Sequence, residues 1–170
     1  EDPVCERVFA PWDDMEQEMR KEGIPLLSME SYVPVKNFDF IGFTLQYEMS
    51  YSNIVNMLDL AGVPLRTAER TAGDPFVCCG GPCPYHAEPL SDFVDFFILG
   101  EGEEVNSEIM DVYKEWKNSG STDRDDFLMS IIPLGGVFVP KFYDVEYNDD
   151  NPISRFEPNR EGVPKQVRKR

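Results

Sequence analysis

The residues with the clearest capacity for chemistry lie in one stretch, FVCCGGPCPYH, which runs from Phe76 to His86. It contains three of the four cysteines and the only histidine of the chain. Cys79, Cys83 and His86 form a C-x3-C-x2-H pattern, and thiolate and imidazole are ligands that zinc prefers. Three protein ligands with an open fourth position are typical of catalytic zinc. One interpretation of this stretch is therefore a metal site.

A second interpretation places the same cysteines in a buried strand. Cys78 and Cys79 end an apolar run, and cysteine in such a run packs as a small hydrophobic residue. Adjacent residues of a strand point to opposite faces, so these two thiols cannot easily share one ion. We therefore expect packing roles for the two cysteines and a turn that sets backbone geometry at Gly80–Gly81–Pro82.

No set of acid, base and nucleophile is evident elsewhere in the sequence. Glu101, Glu103 and Glu104 are close together, but acidic residues at a helix start usually face the positive end of the helix dipole. His86 is distant from them in sequence, and no nucleophile has a base beside it. We expect that this chain by itself is not an enzyme.

Composition restricts the classes of partner. The 170 residues include 32 acidic and 16 basic ones, for a formal net charge of −16. Nucleic-acid binding needs a basic surface, and the only basic cluster is KQVRKR, Lys165 to Arg170, which we expect to be a solvated tail. No apolar run approaches the ~20 residues that span a bilayer, no signal-peptide pattern is evident, and the cysteine spacing does not suggest disulfides. These features predict a cytoplasmic protein that binds neither nucleic acid nor membrane.

Strand and helix patterns alternate along the first two thirds of the chain. A continuous apolar run such as FDFIGFTL is typical of a strand buried on both faces, and the predicted helices have apolar residues at helical spacing. This alternation predicts an α/β fold with a mostly parallel sheet and helices on both faces. The predicted strands are 7–10, 38–45, 74–79 and 95–99, and the predicted helices are 11–23, 50–61 and 103–117.

The last third follows a different pattern. A helix is predicted over 123–132, a short strand over 136–140, and a β-hairpin over 142–156 with the turn NDDNP. We interpret this part as an antiparallel extension. The predicted division is an α/β domain at 1–120 and a helix, β-hairpin and linker at 121–170.

Three predicted strand ends carry unusual sequences, TLQY, GGP and GEGEE. Ligands of such sheets bind beyond the carboxyl ends of the strands, where glycine allows close approach of the backbone and helix N-termini favour anions. Each turn alone is explained as a tight connection, but three at one predicted edge favour a pocket. The candidate cofactor-binding residues are Thr44, Leu45, Gln46, Tyr47, Gly80, Gly81, Pro82, Gly100, Glu101, Gly102 and Glu103.

The ordered set FDFIGFT, GGP and DFFILGEGEE resembles the cobalamin-binding-type domain that precedes the catalytic barrel in many radical S-adenosylmethionine (radical SAM) proteins. The stretches ERVFAPWDDMEQEMRKEGIPL and TLQYEMSYSNIVNMLDLAGVPL are similar to a bacterial subgroup of these, iron–sulfur oxidoreductases. The resemblance covers roughly residues 7–147. It implies a flavodoxin- or Rossmann-like fold and an adjoining radical SAM domain as partner, which would hold the 4Fe-4S cluster and S-adenosylmethionine.

The resemblance also implies a cobalamin cleft. A threonine or serine at the end of the middle strand of that family contacts the nucleotide tail of cobalamin, and Thr44 matches this position; Gly80 and Gly81 match a glycine pair that lines the cleft, and Gly100 to Glu103 match its GEGE turn. The cobalt-ligating motif D-x-H-x-x-G and the cluster motif C-x3-C-x2-C are absent, and we expect the sequence to begin at what would be the second strand of the fold. We therefore expect neither cobalt ligation nor cluster chemistry in this chain.

Three functions remain open at this point. The first is a non-catalytic domain that holds a cofactor such as cobalamin or caps the active site of the adjoining barrel. The second is a vestigial interaction domain without ligand, and the third is a small metalloprotein that uses Cys79, Cys83 and His86. Since an incomplete sheet leaves an exposed edge strand and such edges tend to pair, we also expect a homodimer.

Overall fold

The structure, a computed structural model, describes residues 3–150 and 152–170. The helices of this part of the chain are α1 (Asp13–Glu22), α2 (Tyr51–Ala61), α3 (Gly102–Asn118) and α4 (Arg124–Ile131). Its strands are β1 (Phe40–Thr44), β2 (Phe76–Gly80), β3 (Phe96–Ile98), β4 (Val137–Phe138), β5 (Tyr143–Tyr147) and β6 (Ile153–Pro158). Asn151, in the predicted hairpin turn, lies outside the described residues.

The central sheet has the order β1–β2–β3–β4. The first three strands are parallel, with Phe43 opposite Cys79 and Cys79 opposite Phe97, and β4 is antiparallel to β3. The strands β5 and β6 form a separate antiparallel hairpin. The predicted α/β fold with a mostly parallel sheet and an antiparallel extension is confirmed, and its layout is consistent with a flavodoxin- or Rossmann-like domain.

The sheet separates two apolar cores because successive strand residues point to opposite faces. Along β2, Val77 and Cys79 pack into the core beneath α2, whereas Phe76 and Cys78 pack into the core beneath α3 and α4. This arrangement confirms that the two adjacent cysteines face opposite ways. The second core contains residues from both sides of position 120, and the division of the chain there stays a prediction.

The helices follow their apolar spacing to different extents. In α2, Ile54 and Leu58 are buried and the helix ends at Gly62, whose φ of +68° is readily adopted by glycine. In α1 only Met19 is buried, and Trp12, just before the helix, is 80% exposed. The apolar residues at the start of α1 therefore form surface.

Two strand predictions differ from the structure. Residues 7–10 are not a strand; the Arg7 carbonyl accepts one hydrogen bond, from the Met29 N–H at 2.9 Å. Residues 38–45 contain β1, but this strand lies at the edge of the sheet, with Gly42 and Thr44 exposed. The prediction of burial on both faces is wrong for β1, because the face that carries Gly42 and Thr44 is exposed while Ile41 on the other face is buried.

A buried ion cluster fixes the amino ends of β2 and β3. The Asp95 carboxylate accepts hydrogen bonds from the Arg70 guanidinium at 2.7 Å and from the Val77 N–H at 2.8 Å, and Arg124 lies 3.1 Å from its other oxygen. The side chains of Asp95 and Arg70 are 3% and 0% exposed. Each charge has a close partner, so this cluster is structural.

Within residues 3–150 and 152–170, every helix is too short or too polar to cross a membrane.

Candidate functional site at the carboxyl edge of the sheet

The first two predicted turns touch each other at the carboxyl edge of the sheet. Leu45, which follows β1 and is fully buried, donates its N–H to the Gly80 carbonyl at 2.7 Å. The Leu45 carbonyl accepts a hydrogen bond from the Cys83 N–H at 3.1 Å. The turn after β2 is therefore folded around the chain that leaves β1.

Gly81 makes this close approach possible. Its φ is +103°, and a Cβ at this position would lie 2.9 Å from the Leu45 carbonyl oxygen and 3.3 Å from the Thr44 methyl carbon. A glycine is required for both reasons. In this structure the Gly-Gly-Pro turn makes room for the chain itself, while Thr44, Gln46 and Tyr47 remain exposed.

The third predicted turn is occupied by the C-terminal tail. The Arg170 N–H donates to the Leu99 carbonyl at 3.0 Å, and the Glu101 N–H donates to the Arg170 carbonyl at 3.1 Å. This is the hydrogen-bond pattern of a parallel bridge around Gly100. Gly100 has a φ of +106°, and a Cβ there would lie 2.8 Å from the Arg170 nitrogen and closer to its carbonyl oxygen.

The seated tail, by which we mean residues 167–170, has further anchors. Val167 packs against both apolar cores, and the Arg168 carbonyl accepts a hydrogen bond from the Gly136 N–H at 3.1 Å. The Arg170 guanidinium is paired with the Glu108 carboxylate of α3, and its Nη2 donates a hydrogen bond to Glu108 Oε1 at 2.7 Å. Lys165, Arg168, Lys169 and Arg170 are nevertheless exposed, as predicted for a solvated tail, although the backbone of the last residues is bound to the edge of the sheet.

The other predicted residues of the edge have simpler positions. Pro82 is exposed and precedes a short 3-10 turn, and Gly102 is the first residue of α3. Glu101 and Glu103 are exposed at the start of that helix. Among the described residues no hydrogen bond links the GEGE turn to the two other turns, although all three turns follow parallel strands that end at the same edge of the sheet.

Two cavities in the described part of the chain lie near the amino ends of the parallel strands. One, of about 310 Å³, is lined by Arg70, Asp95 and Arg124. The other, of about 510 Å³, is lined by Asp39 and Trp116 among others. Neither is lined by a predicted cofactor-binding residue, and the predicted roles of those residues stay predictions.

The cysteine-rich stretch does not form a cluster of ligands. Burial raises the pKa of the Cys78 thiol to about 12, and it also raises the pKa of Cys79. The pKa of Cys83 is raised mainly by burial and, to a smaller extent, by the nearby negative charge of Glu48. Because the thiolate is the form that binds metals and attacks electrophiles, these thiols are poorly suited to either task at neutral pH. Within the described residues no three His, Cys, Asp or Glu side chains converge on a common metal position.

Exposed aromatic and methionine side chains surround the first two turns instead. We call Tyr47, Met49, Tyr85 and Tyr147 the carboxyl-edge patch; at least half of each residue's surface is exposed, and Met49 reaches 82%. This patch was not identified from the sequence, in which tyrosines such as Tyr47 and Tyr85 are more often half-buried packing residues.

Hydrogen bonds join the segments that carry the carboxyl-edge patch. His86 Nδ1 lies 3.1 Å from a Glu48 carboxylate oxygen, and the Tyr51 hydroxyl donates to the His86 carbonyl at 3.0 Å. The Tyr147 hydroxyl donates to the Glu88 carboxylate. The loop after β1, the loop after β2 and the hairpin are thus held in one surface.

The family model of the N-terminal part of radical SAM proteins matches residues 1–140. An uncharacterized protein of Methanocaldococcus jannaschii, MJ0966, is 32% identical over 85 residues, which are 49% of this chain and 18% of that protein. The chain thus spans less than a fifth of the length of this relative, and no solved structure matches it significantly. Since the family model covers most of its residues, the chain belongs to the family of N-terminal domains of radical SAM proteins.

Proposed function

We propose that this domain is a non-catalytic accessory domain that packs its carboxyl-edge patch against the radical SAM domain of the same protein. One observation carries the proposal: aromatic and methionine side chains are exposed together on loops that hydrogen bonds hold in place. Membership of the family supplies the partner, because an N-terminal domain of radical SAM proteins implies a radical SAM domain beside it.

The composition of the carboxyl-edge patch supports a protein partner. Tyrosine and methionine are enriched at protein interfaces, where they provide large contact areas. Methionine also adapts to irregular apolar surfaces, and Met49 is the most exposed large apolar residue of the described chain. Because groups of exposed aromatic and apolar side chains often mark interaction sites, we assign this one to an interface.

The same geometry argues against a preformed cofactor cleft at this edge. The space beside Gly100 is filled by the Arg170 backbone, and the space beside Gly81 by the backbone and side chain of residues 44 and 45. With residues 167–170 in this position, the three turns do not together form a cleft for the nucleotide portion of cobalamin. The domain therefore acts by contacting its partner domain, as the hypothesis of a vestigial interaction domain states.

Thermal unfolding of the full-length protein tests the proposal. A domain that binds a partner only when folded is stabilised by that partner, so it should melt higher in the full-length protein than as the isolated 170 residues. The double substitution Met49→Asp and Tyr85→Asp should remove this rise. Met15→Asp is the matched control, since Met15 is a similarly exposed methionine outside the patch. Equal melting temperatures of the isolated and the joined domain would contradict the proposal.

Cobalamin binding is the second candidate, and one observation favours it: Thr44 is exposed at the end of β1, directly beside Gly81. A cleft limited to the first two turns would bind the nucleotide tail there without a cobalt ligand. Titration of the chain with hydroxocobalamin, followed by calorimetry, decides between the candidates. Saturable one-to-one binding that Thr44→Val weakens would support the cleft, and the absence of heat would remove it.

A further inference from the structure

We propose that the GEGEE turn binds residues 167–170 of the same chain as a docking strand, and we call the surface that binds them the seat. We further propose that this strand holds the carboxyl-edge patch against the radical SAM domain. The second half of the inference rests on the proposed function. The first half concerns only contacts within the described chain and can be tested without the radical SAM domain.

Two glycines shape the seat. At Gly100 and at Gly136, which has a φ of +67°, an added Cβ would meet the backbone of the tail or of Leu99 within 3 Å. Both positions therefore combine a left-handed conformation with a lack of space, which glycine alone tolerates. A turn shaped only to start a helix would not need the second condition.

The tail satisfies the backbone groups of the seat as a strand does. Three N–H groups, those of Glu101, Gly136 and Arg170, donate across the junction at 3.0–3.1 Å. The basic side chain of Arg170 adds an ion pair with Glu108, one turn of α3 beyond the acidic residues of the motif. The seat thus binds an extended backbone and a positive charge together.

The position of the seat links it to the patch. The three parallel strands end at one edge, with the patch over β1 and β2 and the seated tail over the end of β3. A chain segment held at this point approaches the radical SAM domain from the same edge as the patch. Fixing such a segment reduces the conformational entropy that is lost when two domains dock, which favours the interface.

Amide hydrogen exchange of the isolated chain, read residue by residue by NMR, tests the seat. The three bonded amides should exchange at least about tenfold more slowly than freely exposed amides. Gly100→Ala should abolish this protection, because its Cβ cannot coexist with the seated tail. Gly135→Ala is the matched control, since its φ is +76° but nothing lies within 4 Å of an added Cβ. Unprotected amides in the unmodified chain, or protection that survives Gly100→Ala, would overturn the inference.

A milder variant covers the case in which Gly100→Ala fails to fold. Glu108→Gln weakens the contact with Arg170 without straining the backbone, and should speed exchange at the three amides several-fold. Glu115→Gln, at an exposed position of the same helix, should leave them unchanged. Equal exchange in these two variants would count against the seat.

The full-length protein separates this inference from the proposed function. If the patch loops are protected in the unmodified protein and lose protection in Gly100→Ala but not in Gly135→Ala, the coupling role is supported. If they are protected equally in all three, the coupling role fails and the proposed interface stands. If they are unprotected in the unmodified protein, the interface itself fails.

Discussion

Replacing Asp95 by asparagine tests whether the ion cluster at the amino edge holds the sheet together. Asp95 lies directly before β3 and is the common partner of two arginines, one before β2 and one on α4. Its substitution leaves Arg70, whose side chain is fully buried, facing an amide instead of a carboxylate. The remaining contacts of Arg70 are carbonyl oxygens, which cannot neutralise its charge.

The expected cost follows from this burial. Removing one partner of a buried ion pair destabilises a protein by about 3–5 kcal/mol, compared with a total stability of roughly 5–15 kcal/mol for a typical domain. The Asp95→Asn chain should therefore lose a large fraction of its free energy of unfolding. The effect should be a stability effect alone, since the substituted atoms are remote from the carboxyl-edge patch.

Urea denaturation provides the assay. Trp116 packs against Phe76 and Phe127 in the second core, so its fluorescence reports loss of that core. The matched control is Asp92→Asn, which breaks the exposed pair of Arg66 and Asp92 and should cost less than about 1 kcal/mol. A loss below about 1 kcal/mol for Asp95→Asn, equal to that of the control, would refute the reasoning.

Three further predictions concern the carboxyl edge and the sheet edge. Gly81→Ala should cost about 1–3 kcal/mol of unfolding free energy in a thermal melt, because it combines strain with a close contact; a neutral effect would contradict the close approach to Leu45. In the native chain at pH 8 a thiol reagent should modify the exposed Cys5 rapidly and the buried Cys79 only after unfolding; equal rates would contradict the packing. The open edge of β1 should pair two copies of the isolated chain at high concentration, and Thr44→Lys should prevent this; light scattering that shows only monomer at all concentrations would count against it.

The sequence predicted those elements whose pattern is local. The buried stripe of α2 and its glycine end are visible as spacing, and the alternation of Phe76 and Val77 between two cores follows from the period of a strand. The same applies to β3 and α3, whose apolar residues are regular. Local patterns are sufficient here because each of these elements is covered on the faces that the pattern marks as apolar.

The failures arise where burial depends on distant neighbours. FDFIGFTL is as apolar as a central strand, but β1 is an edge strand and one of its faces is exposed at Gly42 and Thr44. The seated tail depends on contacts that Arg170 makes with α3 and with the GEGEE turn, which precede it by at least 62 residues in the sequence. A cluster such as KQVRKR gives no local sign of such pairing, and its charge alone favours solvent.

The locations of the three turns followed from the sequence, but their contacts did not. The three turns do follow the carboxyl ends of three parallel strands, as their glycines indicated. What the glycines accommodate differs: Gly81 makes room for Leu45, and Gly100 makes room for Arg170. Sequence shows that a backbone must pass closely, but it does not show whether a ligand or the chain itself occupies the space.

The most direct test of the proposed interface compares amide exchange in the isolated chain with exchange of the same residues in the full-length protein. If the carboxyl-edge patch contacts the radical SAM domain, the amides of Glu48, Met49, Tyr85 and His86 should become protected in the full-length protein, while those of Arg70, Asp95 and Arg124 in the buried ion cluster should be unchanged. If these loops exchange equally fast in both proteins, the patch is not the interface and the proposed function is wrong.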